Sequence, residues 1–460
     1  MEFIGAFEST YMPAHDVDVL ETSAHAARWR EDLEALRALG VTRVRYPVRW
    51  HRVEPEPGAL RWEQTDEVLS WMAEHGMTPI VDLVHHTSYP RWLAGGFADP
   101  EFGPAYLRYC EAFARRYDWI EEYTLFNEPF ATLFLAGHVG VWPPYRRGLR
   151  GLLSLYREVM PALTQASRML AELLPRARHV WVDTCEGHTA LDEAAIPYAT
   201  LCNDRRFFAL DLFLGRLERP DNRPFVEAVI AAGGEDLLAL DPGTVDVLGL
   251  DYYAHSEWAY LSADRAVPDA AAGHEVHHDV VEDPPLGGQL SGIVPSPEPT
   301  GLAALIGEYA ERYEHPLLLT ETNIRGTPSD RATWLKHTLG QCELARGRGA
   351  PLSGYCWFPF VDSLDWNSLL NRADGCIDPV GVLWLDARLE RRRSSMLDSY
   401  ARAAAGTPTA ELPAYRLSPG TARWLSALLP AMQDFAWRPP PATEEGFDLD
   451  SVAARVGIAA

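Results

Sequence analysis

The sequence predicts an α/β protein of the (β/α)8 (TIM) barrel class, with long βα loops and a C-terminal extension, on three observations. Short β-rich runs alternate with longer helical patterns, and those helical patterns often stop at glycine. The short runs are largely continuous in apolar residues rather than strictly alternating, as strands covered on both faces require. Eight such units in about 400 residues fit a barrel with insertions.

The first strand is expected near residues 3–7. Trp29, Leu33 and Leu36 then share one helical face up to Gly40, and a second strand follows over 41–50. Val68, Leu69 and Met72 repeat the device up to Gly76, before a third strand over 78–84. Further strands are expected at 120–126, 179–184, 245–252, 317–320 and 354–357, with helical patterns between them and after the last. A doubly wound open sheet is the competing fold, but no Gly-x-Gly-x-x-Gly follows the first strand and no Walker loop occurs.

Two stretches fall outside the repeat. Residues 261–300, rich in Pro, Gly, Asp and His, read as a long loop after the sixth strand, on the face where barrel active sites lie. Beyond Gly406 comes a tail with a helix-like run over 418–437, a Pro-Pro-Pro turn at 439–441 and a final short helix. Its apolar Trp424, Leu425, Leu428 and Met432 suggest that it packs on the barrel. The expected division is a barrel over 1–406 and an extension over 407–460. A chain of 460 residues, which at roughly 150 per domain would suggest about three domains, is thereby one large barrel and a docked tail.

Charge and composition narrow the function. With 41 Lys+Arg against 65 Asp+Glu the formal charge is −24, which repels phosphate backbones and anionic lipid surfaces. Nucleic acid and membrane are therefore not expected as partners. The opening residues carry no basic start followed by an apolar stretch, and no apolar run approaches the roughly 18 residues that span a bilayer. The 6 cysteines include no Cys-x-x-Cys pair, so free thiols in a reducing cytoplasm are expected, and neither a zinc ribbon nor a redox motif.

In a barrel the chemistry sits where strands end. The fourth strand ends Thr124-Leu-Phe-Asn-Glu-Pro129 and the seventh ends Leu318-Leu-Thr-Glu-Thr-Asn323. A single Glu in a loop is ordinarily a solvated charge. Glu128 and Glu321, however, would face each other across the barrel mouth. Two facing carboxyls are what glycosidic cleavage requires, one as proton donor to the leaving oxygen and one for the anomeric carbon. Their mutual repulsion would keep the donor protonated.

These stretches resemble family 1 of the glycoside hydrolases, the β-glucosidase-like members of the retaining (β/α)8 superfamily. Asn127-Glu128-Pro129 is similar to the family's acid/base motif and Thr320-Glu321-Thr-Asn323 to its nucleophile motif. Val44-Arg-Tyr-Pro-Val-Arg-Trp50, Leu83-Val-His-His-Thr-Ser-Tyr-Pro-Arg-Trp-Leu93, Gly249-Leu-Asp-Tyr-Tyr253 and Gly354-Tyr-Cys-Trp357 through Asp365-Trp366 agree in order and spacing. The resemblance implies a retaining β-glycosidase that removes a terminal sugar from a small β-glycoside. Glu321 would be the nucleophile and Glu128 the acid/base, with carboxyls about 5–5.5 Å apart. Arg45 would hold Glu321 ionised and Tyr253 would hydrogen-bond it. His85, Asn127, Asp365 and Trp366 would contact sugar hydroxyls, and Trp357 would form the floor under the pyranose. The implied partner is a small-molecule carbohydrate, with no metal or cofactor.

The motifs also depart from the family pattern. Glu8 in Ala6-Phe-Glu-Ser-Thr10 stands near the usual Gln ligand, His86 where Trp is usual, Asp251 where Asn is usual, and Asp365 where Glu is usual. One extra residue separates Trp357 from Asp365, and the common Glu-Asn-Gly after the nucleophile is absent. No Lys lies over 366–385, where phospho-glycoside members carry phosphate ligands, although Arg372 does. These departures leave open another glycosidase specificity (β-galactosidase, β-mannosidase or endo-acting), a transglycosylase or a non-hydrolytic sugar-binding barrel. A metal-dependent hydrolase using His85, His86, Asp251 and His255 is a further alternative.

Overall fold

Eight parallel strands close into a ring: β1 (Glu2–Ala6), β2 (Arg43–Pro47), β3 (Thr78–Asp82), β4 (Glu122–Thr124), β5 (Arg178–Thr184), β6 (Val247–Asp251), β7 (Leu317–Glu321) and β8 (Leu352–Cys356). Each pairs with its sequence neighbours, and β1 pairs with β8 to complete the cylinder. This is a (β/α)8 barrel, as the sequence predicts. The coordinates are a computed structural model that describes residues 1–217, 223–262, 290–296 and 298–418.

The expected helices form for the expected reason. The helix His25–Ala38 buries Trp29, Leu33 and Leu36, and Glu63–Glu74 buries Val68, Leu69 and Met72. The backbone reverses just beyond each, at Gly40 (φ 76°) and Gly76 (φ 68°), a left-handed conformation that glycine adopts without strain. The helix Pro328–Gly347 starts with a reciprocal cap, Thr327 accepting from the Asp330 backbone N–H while the Asp330 carboxylate accepts from that of Thr327. Inside the ring Ile4, Ala6, Ile80, Val180, Val182, Val247, Leu318, Cys356 and Phe358 form a cluster of their own, apart from the larger core between strands and helices. At the N-terminal ends of the strands the charges are paired, with Arg43 donating twice to Glu122, at 2.7 and 2.8 Å.

Two expectations are corrected. The fourth strand is shorter than 120–126, and Asn127 rejoins the ladder by a single bridge to Val182. The start of the expected loop at 261–300 is strand, because Glu257–Ser262 pairs with both Gly187–Ala190 and Leu290–Pro295. Residues 263–289 lie outside the described residues, as do all but the first residue of the helix-like run expected over 418–437 and the rest of the tail. Residues 407–418 run along the helix Pro328–Gly347, where Lys336 Nζ donates to the carbonyls of Ala410 and Leu412.

Among the described residues no helix is long and apolar enough to cross a membrane. All the cysteines are unpaired, and Cys376 alone is exposed.

Candidate active site

Glu321 closes β7 and Glu128 follows β4, both nearly buried at 2% and 7% exposed. Glu128 is held in the left-handed region (φ 46°), and its backbone N–H donates to Val182 O at 3.0 Å. Pro129 then opens a short helix whose next residue, Phe130, donates its N–H to Asp183 Oδ2 at 2.9 Å. Burial lifts Asp183 to about 8, despite the N–H groups of Phe130 and Thr184 that it accepts from. His86 (φ 49°) and Asp365 (φ 63°) share the left-handed conformation. Non-glycine residues are rarely held so, at a cost of about 1–3 kcal/mol each, and such positions cluster at functional sites.

Arg45, on β2, is the hub beneath the pair. Its Nη1 donates to Glu321 Oε1 at 2.6 Å, and its Nη2 donates to Asn127 Oδ1 at 2.7 Å and Asp82 Oδ2 at 3.2 Å. Burial works against this charge, but Glu321, Asp82 and Asp251 outweigh it and raise the guanidinium pKa further. The Tyr253 hydroxyl donates to Glu321 Oε2. Burial and the carboxylates of Glu321, Asp251 and Glu128 keep that hydroxyl protonated. Both oxygens of Glu321 are therefore engaged by donors.

Glu128 is in the opposite situation. Burial, then Asp251, Glu321 and Asp183, push its carboxyl well above the usual range. His86 stands beside Glu128, outside hydrogen-bond distance. Its Nδ1 donates to Thr132 Oγ1 at 2.8 Å, whose own hydroxyl donates to Asn127 O at 3.2 Å, so Nε2 is left as an acceptor. That nitrogen lies 3.4 Å from Asn127 Nδ2 and 3.8 Å from Glu128 Oε2. Burial, reinforced by His85 and Arg45, keeps the ring neutral.

The remaining predicted residues are held by contacts of their own. His85 Nδ1 donates to Asp82 Oδ2 at 2.8 Å, and its Nε2 lies 3.7 Å from Glu8 Oε1. Burial alone would discharge His85, but Asp82, Glu8 and Glu321 lift its pKa above the ordinary value. Burial also raises Glu8, whose Oε1 is fixed by the N–H and hydroxyl of Thr10 at 2.8 and 2.6 Å. Trp357 is buried and anchors its ring N–H on Val380 O at 2.8 Å. Trp366 lies edge-on to His86 at 5.8 Å, and Asp365 Oδ1 accepts from Cys376 N at 2.9 Å.

Sequence reasoning missed Asp82, Asp183, Trp142 and Phe358. Trp142 packs against His86 at 5.1 Å and Trp366 at 6.0 Å, while Phe358 stacks on His85 at 5.7 Å. Asp183 follows the apolar run Val180-Trp-Val182, the signal that identifies Glu321, whereas Asp82 sits inside an apolar run that continues through Leu83 and Val84. The metal-hydrolase set does not assemble. Among the described residues the group of acidic, His or Cys side chains close enough to share an ion is Glu128, Asp251 and Glu321, without His85, His86 or His255, and His255 stacks on Tyr253 instead.

Over residues 10–377 the chain matches the model of Glycosyl hydrolase family 1. It is 24% identical over 392 residues to β-glucosidase A of Thermotoga maritima, covering 80% of this chain and 83% of the relative. It is 26% identical over 373 residues to a β-glucosidase of Agrobacterium sp., covering 74% and 77% respectively. Its fold is similar to a solved structure of the β-glucosidase from Thermotoga maritima in complex with glucoimidazole, with a TM-score of 0.67 at 20% identity over 84% of this chain and 88% of that one.

Proposed function

The chain belongs to glycosyl hydrolase family 1, and on that premise we propose that it is a retaining β-glycosidase that releases a terminal sugar from a small β-glycoside by double displacement. The observation that carries this reading is the asymmetry of the pair: Glu321 receives donors from Arg45 and Tyr253, while Glu128, within reach of it, is driven to hold its proton.

In the first step Glu321 attacks the anomeric carbon and Glu128 gives its proton to the leaving oxygen. The C1–O bond breaks as an ester bond to Glu321 forms. In the second, Glu128, now a carboxylate, takes a proton from water as that water displaces Glu321, so the anomeric configuration is retained. Arg45 and Tyr253 hold the nucleophile in place and reload it as a carboxylate on release. Neither step calls for a metal or cofactor. The catalytic unit in this reading is residues 1–406, with 407–460 as an extension, and the unpaired cysteines suit a reducing cytoplasm.

Several buried polar atoms have no hydrogen-bond partner among the described residues, including Asp82 Oδ1, His85 Nε2, Asp365 Oδ2 and Trp366 Nε1. Such atoms are costly unless a ligand satisfies them. A mix of acceptors and donors suits the vicinal hydroxyls of a neutral sugar. Glu8, His86 and Asp365 differ from the usual family ligands, which favours a sugar preference other than the common one as the second reading.

A panel of aryl β-glycosides assayed with wild type, Glu321→Ala and Glu128→Ala tests the mechanism and reads the sugar directly. Glu321→Ala should abolish turnover, and Glu128→Ala should lower it by about 10²–10⁴-fold. Undiminished activity in Glu321→Ala would sink the reading.

A further inference from the structure

The carboxyls of Glu128, Asp251 and Glu321 each place an oxygen within 4.8 Å of the other two. Strand register accounts for part of this, since Asp251 at the end of β6 is the lateral partner of Glu321 on β7. Asp251 is fully buried, and its Oδ1 accepts from Thr320 Oγ1 at 2.7 Å. Gly249 permits that contact, because a Cβ there would sit 2.6 Å from Thr320 Oγ1. Asp251 Oδ2 has no donor among the described residues.

Charge counting around the trio leaves one arrangement. Arg45 faces it from β2 and commits Nη1 to Glu321 and Nη2 to Asn127 and Asp82. From β5 comes Asp183, from just beyond it the Cys185 thiol, from β8 the Cys356 thiol, from beyond β6 the Tyr253 hydroxyl, and from beyond β3 the neutral His86. None of these is a cation, and His85, the other basic group near the pair, is committed through Nδ1 to Asp82 and faces Glu8 with Nε2. Glu321 has its donors, whereas ionising both Glu128 and Asp251 would add two buried like charges beside it.

We infer that Asp251 is a positioning carboxyl that shares one proton with Glu128 and so keeps the acid of the proposed reaction loaded. The inference rests on the glycosidase reading for its consequence, though not for its test. The directions fit one proton held between them: burial, then Asp251 and Glu321, raise Glu128, while burial and Glu321 raise Asp251 and its contact with Glu128 pulls it back, as for an acceptor beside a donor. An amide, which the family motif usually carries at this place, can neither take up nor release that proton, so the sharing belongs to this chain's Asp. The proton count also suits the chemistry. When Glu128 yields its proton to the leaving oxygen it gains a charge, at the moment Glu321 loses one to the ester bond, so the charge facing Asp251 stays the same through the step.

The test is the titration of Glu128 in wild type and Asp251→Asn, read by carbon-13 NMR of the intact protein labelled at Glu and Asp side-chain carboxyls, with Glu128→Gln and Asp251→Asn identifying the resonances. In wild type the two carboxyl signals should move together in two steps, as coupled groups do. In Asp251→Asn the Glu128 signal should titrate in one step, at least one pH unit lower, and the alkaline limb of kcat/KM should fall with it. Independent single-step titration in wild type, or an unmoved Glu128 signal in a folded Asp251→Asn protein, would overturn the inference. So would a wild-type titration that shifts on adding a chelator, which would make the trio a cation site. If the coupled titration is seen but Glu321→Ala retains full activity, proton sharing stands and the glycosidase reading fails.

Discussion

Asp82 Oδ2 accepts from His85 Nδ1 at 2.8 Å, and the same oxygen accepts from Arg45 Nη2 at 3.2 Å. One carboxylate at the end of β3 thereby orients both the imidazole that faces Glu8 and the guanidinium that holds Glu321. Asp82→Asn keeps the shape and removes the charge. Loss of hydrogen bonds to charged groups is worth about 1.5–3 kcal/mol, so kcat/KM should fall roughly ten- to hundredfold. Steady-state kinetics alongside thermal unfolding checks this, and unchanged kinetics would show that Asp82 does not support the site.

Tyr253→Phe removes the donor to Glu321 Oε2 and little else, since the ring stays in place against His255 at 5.1 Å. In the proposed mechanism that hydrogen bond steadies the nucleophile and its departure from the ester. The expected outcome is a loss of about tenfold or more in kcat with the melting temperature little altered. A full-activity variant would remove Tyr253 from the mechanism.

Gly249→Ala lies below the substrate space yet should reach it. The new Cβ would meet Thr320 Oγ1 at 2.6 Å and Val182 Cγ2 at 2.9 Å, inside the barrel wall. Overpacking of this kind destabilises by about 1–3 kcal/mol, and displacement of Thr320 frees Asp251 Oδ1. Denaturant unfolding should report the first effect and a changed alkaline pH limb the second.

Acid should weaken the fold through His179. Burial lowers its pKa to about 4, partly opposed by its contact with Thr244 O at 2.5 Å. The unfolded chain takes up this proton near pH 6.5 and the folded one near 4. The stabilisation is complete above the first value and is lost as pH falls through the second, by up to about 3 kcal/mol. Thermal unfolding between pH 7 and 4 should show a shallower decline for His179→Gln than for wild type, and parallel curves would reject the assignment.

The barrel and its carboxyl pair were legible because each is written locally. An apolar run that ends in a charged residue, as in Leu317–Glu321, names both a strand and the place where its chemistry sits. Asp183 follows the apolar run Val180-Trp-Val182 in a similar way, and reading that signal at every strand would have exposed it, whereas Asp82 is followed by Leu83 and Val84 and carries no such mark. The trio of Glu128, Asp251 and Glu321 was not legible, because it depends on register between β6 and β7 and on a left-handed turn after β4. The strand Glu257–Ser262 was hidden by the Pro- and Gly-rich stretch beyond it, whose composition dominated the reading.

The left-handed backbone at His86, Glu128 and Asp365 carries an evolutionary liability. Glycine relieves that conformation, so at His86 or Asp365 a change to glycine would ease the main chain while deleting a side chain that the proposed sugar site relies on. Selection for heat resistance alone would therefore drift toward a robust and idle protein. A thermostabilisation campaign on this enzyme needs an activity screen at every round, and those positions are the first to hold fixed.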